Sequence, residues 1–137
     1  MNATEAKQFV LDFFVELAGG EQRAWDRVAE DATWHLMARA ADYPHATEHT
    51  KDSYRKLVLD SGETFPTGLR FTITGAIAEE DQVALEAESY GRTGEGRLYN
   101  NRYYIFVQLA DSRIKTVREY LDTGLVTEVP GQPRMAR

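Results

Sequence analysis

An α+β domain is the fold class this sequence predicts, with helices packed on one face of an antiparallel sheet. Two observations predict it. Apolar residues recur every three or four positions near the N-terminus and again around residues 54–58, whereas after Gly68 nearly every segment alternates apolar with polar. Helices first and a meander of strands afterwards put the helices on one side of the sheet.

Each element follows from its residues. Asn2 and Glu5 have the spacing of a capping box, which satisfies free backbone N–H groups. Ala6, Val10, Phe13, Phe14 and Leu17 then form one apolar helical stripe. Gly19–Gly20 ends that helix, because glycine enters the left-handed conformation without strain. A second short helix is expected over about residues 21–30, burying Trp25 and Val28. Residues 32–37 read as a strand and 38–50 as a polar loop. Thr50 is placed to cap a third helix, with Tyr54, Leu57 and Val58 on its buried side and Gly62 past its end. Phe65-Pro66-Thr67-Gly68 is a turn. Leu69, Phe71 and Ile73 alternate with polar residues, as do Val83, Leu85 and Ala87. Residues 92–96 connect a hairpin. A long strand over 99–109 turns at 110–113 into a last strand over 114–122.

The chain has 137 residues, the size of one domain, and residues 130–137 read as a tail. Apolar residues make up 42% and aromatics 11%, enough for a packed core. The net charge of −6, with Arg and Lys scattered, argues against nucleic acid and anionic membranes as partners. No cysteine is present, so disulfides, thiolate nucleophiles and Cys-based zinc sites are excluded. The N-terminus lacks a signal-peptide pattern, and no apolar run approaches the ~18 residues of a membrane span, so a cytoplasmic protein is expected.

The second half carries a resemblance. Gly96-x-x-Tyr99-x-Asn101-x-Tyr103, then Ile114, then Arg118-Glu119-Tyr120-Leu121-Asp122, together with the earlier Glu30-Asp31-Ala32-Thr33-Trp34, resembles the SnoaL-like polyketide cyclase group. That group belongs to the wider superfamily of nuclear transport factor 2, ketosteroid isomerase and limonene-epoxide hydrolase. The resemblance covers roughly residues 4 to 126. It implies a cone-shaped barrel, a strongly curved antiparallel sheet wrapped around the N-terminal helices with a pocket at its open end. It also implies dimerisation through the outer face of the sheet.

An ungapped match to limonene-epoxide hydrolase implies site residues. Glu119 falls on one catalytic carboxylate and Glu88 on the other, while Glu86 falls on the arginine that bridges them. Trp34 and Leu36 fall on the tyrosine and asparagine that hold the attacking water. The acids are therefore kept and their partners lost, since indole only donates and leucine does neither. This argues against epoxide hydrolysis by that route. The family register turns Ala84, Glu86, Glu88 and Tyr90 into the pocket. It does the same for Asn101, Tyr103, Ile105 and Val107, and for Val117, Glu119 and Leu121.

Alternation alone leaves the parity of residues 83–91 open, because strand side chains alternate between faces. Read by hydropathy, Val83, Leu85 and Ala87 are the core face and Glu86 and Glu88 are solvated. In the family register, with both acids inward, one of them is either catalytic or held in a structural ion pair with an Arg such as Arg102 or Arg118. Asn101 and Tyr103 either hydrogen-bond a substrate oxygen or satisfy one another and Glu119. Asp122 has opposite parity; it is either an acid/base group, as in SnoaL-type cyclases, or the cap of the following turn. His45 and His49 have metal-ligand spacing, but in a polar loop. Neither a metal nor another cofactor is expected. His35 should lie outside the cone.

These readings converge on a pocket for a small hydrophobic molecule. The leading function is a cofactor-free acid/base enzyme, an isomerase, cyclase or hydrolase. A non-catalytic binding module and a structural or assembly domain are the alternatives. Glu88 and Glu119, crowded by Glu86, are expected to titrate as a coupled set. A homodimer is expected to bury Val83, Leu85, Ala87 and Phe106.

Overall fold

The computed structural model describes residues 1–41, 43 and 47–129, with Thr127 described for its backbone alone. The expected tail therefore lies outside the described residues. The first helix, α1 (Ala3–Ala18), starts with the expected box: Glu5 N–H donates to Asn2 Oδ1 at 2.9 Å and Asn2 N–H to Glu5 Oε1 at 3.0 Å. It ends at Gly19, and Gly20 takes the left-handed φ of +75°. The second short helix is a 3-10 helix over Gln22–Arg27 that buries Trp25. Val28 already opens strand β1 (Val28–Leu36), four residues earlier than alternation indicated.

Within the expected loop, β2 (Glu48–Thr50) pairs antiparallel with β1. Thr50 caps α2 (Lys51–Thr64) by accepting from Ser53 N–H at 3.1 Å. That helix runs through Gly62 rather than stopping before it. The remaining strands are β3 (Arg70–Glu79), β4 (Gln82–Arg92), β5 (Leu98–Tyr99), β6 (Arg102–Ala110) and β7 (Arg113–Leu121). The long strand expected over 99–109 is thus interrupted at Asn100 and Asn101. A short α3 (Thr123–Glu128) follows β7.

The strands form one curved, open sheet in the order β2-β1-β7-β6-β4-β3, with β5 on β4. It is mixed rather than antiparallel throughout, because the first strand lies parallel to the last. Two bulges bend it. One makes Thr74 an extra residue in β3 and the other makes Lys115 extra in β7. The tight β6–β7 turn is made by Asp111 and Ser112, both at positive φ. At the end of β4, Gly91 leaves no room for a side chain: a Cβ there would meet Gly68 O at 2.9 Å.

The core lies between α1, the 3-10 helix and the concave face of the sheet. Phe13 packs edge-on against Phe14 and Trp25, over Val83, Leu85, Ile105, Val107 and Val117. This overturns the family register for β4. Val83, Leu85 and Ala87 are the buried face, Glu86 and Tyr90 are exposed, and Glu88 is half-exposed. The cause is the β4–β5 hairpin. Thr93 N–H donates to Arg97 O, leaving a three-residue loop, Gly94-Glu95-Gly96, with Gly96 at φ +84°. An odd loop pairs residues of equal parity, so Ala87 faces Tyr103 and Leu85 faces Ile105. Among the described residues, no helix is long and apolar enough to cross a membrane.

Candidate active site

A cavity of about 470 Å³ opens between α1, α2 and the concave sheet face. That is within the size range of sites for drug-sized molecules, about 300–1,000 Å³. Phe14 and Leu17 line it from α1, Tyr54, Leu57 and Val58 from α2, and Phe71 from β3. Tyr99, Tyr103, Ile105, Glu119 and Leu121 line it from the later strands, and Tyr43 from the segment before β2. Among the described residues, none of the lining side chains is Lys, Arg or His.

Glu119 is the one buried carboxyl on that wall among the described residues, at 7% exposure. It sits on β7 beside Leu36 in the parallel ladder. Tyr54 Oη donates to its Oε1 at 2.7 Å and Trp34 Nε1 donates to the same oxygen at 3.1 Å. The two donor rings stack, with centroids 3.9 Å apart and planes 11° from parallel. Burial pushes the Glu119 carboxyl above the usual carboxylate range, because it penalises the charged form. The bonds from Tyr54 and Trp34, and then the charge of His49, oppose that rise without cancelling it.

The phenols around it are held protonated. Burial, then the Glu119 charge, raise Tyr54 well above its ordinary value and raise Tyr43 as well. Tyr103 is raised well above it, chiefly by burial. Its hydroxyl lies 2.9 Å from Ser89 Oγ and 3.5 Å from the Tyr99 hydroxyl. The wall therefore presents neutral hydroxyls near one carboxyl.

The structure brings together part of the expected site. Glu119, Leu36, Tyr103 and Leu121 line the cavity; Trp34 stands behind Glu119 as its donor, and Val117 is core beside Trp34. Glu86, Glu88 and Tyr90 are on the outer face, so their expected pocket positions are corrected by the hairpin parity. Glu88 pairs with Arg102 at 3.6 Å, and the Arg70 guanidinium lies over the Tyr90 ring. The expected coupled set of acids is accordingly dissolved: the sheet separates Glu88 and Glu86 from Glu119. Asn101 is fully buried but does not line the cavity. Its Nδ2 donates to Tyr99 Oη and Asp122 O, and its Oδ1 accepts from Arg102 N–H and Asp122 N–H. Asp122 is exposed and caps α3, accepting from Leu125 N–H at 3.2 Å. His35 lies opposite Trp34 in parity, beside Arg118. His45 lies outside the described residues, and with it the His45–His49 pairing.

Sequence reasoning missed Tyr43, Tyr54 and Tyr99 as site residues. Tyr54 was legible as a buried helix position, and a tyrosine on an apolar stripe signals a hydroxyl in need of a partner. Tyr43 sits in a stretch whose polar composition hid it.

A family model, the SnoaL-like domain, matches residues 10–117. The chain belongs to the SnoaL-like domain family. No curated protein matches it significantly. Among solved structures, an NTF2-like protein from Anabaena variabilis ATCC 29413 is similar at TM-score 0.73 and 23% identity, over 88% of this chain and 90% of that one. An NTF2-like protein from Burkholderia xenovorans LB400 gives 0.71 and 21%, over 91% and 95%. A protein from Jannaschia sp. CCS1, described provisionally as a SnoaL-like polyketide cyclase, gives 0.78 and 17%, over 96% and 94%. These likenesses establish the shared NTF2-like fold.

Proposed function

We propose that this SnoaL-like protein is an acid/base enzyme acting on a small, mostly apolar molecule, with Glu119 as the group that gives or takes the proton. One observation carries the reading: a single buried carboxyl stands on the wall of a mostly aromatic and aliphatic cavity, whose other lining carboxyl, Glu21, is solvent-exposed, and burial raises its affinity for a proton. A carboxyl tuned upward holds a proton closer to neutral pH, where general acid/base transfer is most effective. Tyr103 and Tyr99 supply neutral hydroxyls for an oxygen of the bound molecule. Isomerisation, cyclisation and hydrolysis all use this set. The test is a turnover screen of uncharged ketones and epoxides, run on the wild type and on Glu119→Gln. Turnover that survives the substitution overturns the reading.

A second reading is a non-catalytic carrier of the same ligand class. It is favoured by the placement of Glu88 outside, which leaves no second carboxyl among the described residues deep in the cavity. Tight binding by the wild type with no turnover selects it.

We also propose a homodimer through the outer sheet face, on other residues than the sequence indicated. Val83, Leu85 and Ala87 belong to the core, and of that set Phe106 alone stays outside. The outer face instead offers Ile77, 71% exposed, in one cross-strand row with Ala84, Phe106 and Arg118, next to a row carrying Tyr104 and Tyr120. Such a patch suits a protein contact.

A further inference from the structure

We propose that Trp34 and Tyr54 are positioning residues that give the two oxygens of Glu119 different jobs: Oε1 is a permanent acceptor, and Oε2 is where the proton resides and is exchanged. The inference rests on the acid/base reading for its use in a reaction, and on geometry for everything else.

Oε1 receives two donors, Tyr54 Oη at 2.7 Å and Trp34 Nε1 at 3.1 Å. An indole N–H can only donate. A proton on Oε1 would therefore face the Trp34 hydrogen, with no way for the ring to turn acceptor. Trp34 cannot swing aside either: it is 1% exposed and packed between Phe13 and Trp25 on one side and the Tyr54 ring on the other. Oε2 accepts no hydrogen bond from any described residue. Protonation at Oε2 keeps both donor bonds intact in the acid and in the base form, so proton exchange needs no rearrangement of the wall.

Three elements hold this arrangement: β1 through Trp34, α2 through Tyr54 and β7 through Glu119 itself. The other titratable groups facing it are His49 from β2, Tyr43, Tyr99 and Tyr103. Of these, His49 is the one whose charge favours the carboxylate form of Glu119 over the acid. Asp122 ends the same strand but is exposed and committed to capping α3.

Infrared difference spectroscopy between low and high pH tests the assignment. The band absent from Glu119→Gln identifies the Glu119 carbonyl stretch. Tyr54→Phe keeps the stacked ring and removes only the hydroxyl. Its expected effect is a shift of that band to higher wavenumber, because the carbonyl oxygen of the protonated acid is Oε1 and loses a donor. The midpoint of the band's titration should rise by about one pH unit, since the lost bond favoured the carboxylate. Trp34→Phe should move band and midpoint in the same directions. A band and midpoint unmoved in Tyr54→Phe overturn the proposal, and they leave the acid/base reading standing if the wild-type midpoint is high. A wild-type midpoint at or below that of a free Glu, about 4.3, removes the basis of the acid/base reading; a shift in Tyr54→Phe still supports the positioning.

Discussion

Replacing Asn101 by Ala should cost this fold about 3 kcal/mol, and the figure can be worked from its bonds. Asn101 is fully buried and uses its whole capacity, two donors and two acceptor positions. Two of the bonds hold both backbone groups of Asp122 at the junction of β7 and α3. A third holds Arg102 N–H at the start of β6, and the fourth holds the Tyr99 hydroxyl. At about 1 kcal/mol net each, four bonds contribute about 4 kcal/mol. Three of them are only partly buried, where water can take over some of the loss. Urea unfolding followed by circular dichroism should show a lower midpoint with an unchanged slope, and the melting temperature should fall by about 10 °C. Asn101→Asp should be worse at neutral pH than at low pH, because the carboxylate faces Asp122 O without a proton to give. A loss below about 1 kcal/mol for Asn101→Ala would refute the reasoning. So would a ligand affinity that falls while stability holds, since that would return Asn101 to the binding role.

Glu119→Gln should keep ligand binding and lower kcat by about 100-fold or more, the usual reach of a general acid/base group, measured on the best substrate of the screen. The same variant should change how stability depends on pH. Burial raises the folded carboxyl of Glu119, so its contribution is complete below the ordinary carboxylate range and is lost as pH rises through the folded midpoint. Wild-type stability should therefore fall relative to Glu119→Gln on going from acid to neutral pH, and parallel curves would contradict this. Glu88→Gln should alter stability by no more than about 0.5 kcal/mol and leave ligand affinity unchanged, because Glu88 sits in an exposed pair on the outer face. Sedimentation at micromolar concentration should show a dimer that Phe106→Glu dissociates, and a wild-type monomer would remove the proposed interface.

Short-range signals were enough for much of this molecule. The capping box at Asn2 and Glu5, the stripe from Ala6 to Leu17, the Thr50 cap and the Asp111–Ser112 turn each depend on residues within a turn of one another, so they are legible as sequence. The order of these elements was enough for the α+β class, and the matched motifs placed Glu119 and Trp34 correctly on the inner face. Tertiary structure decided what alternation cannot. A one-residue difference in a hairpin reverses every side chain of a strand, and the three-residue loop centred on Glu95 sent Glu86 and Glu88 outward. That parity depends on where the loop begins and ends, which the pairing of Thr93 with Arg97 around Gly94-Glu95-Gly96 fixes. The Thr74 bulge then reversed β3 midway, turning the half-buried Ala76 and Ala78 toward the core and exposing Ile77, which no pattern in the strand announces. Most consequential is the joining of Trp34, Tyr54 and Glu119. Trp34 and Glu119 are 85 residues apart in sequence, and they meet because the first strand lies parallel beside the last. No local rule specifies that pairing. It is the burial of the whole concave face that brings a donor pair and a single carboxyl to one wall of the cavity.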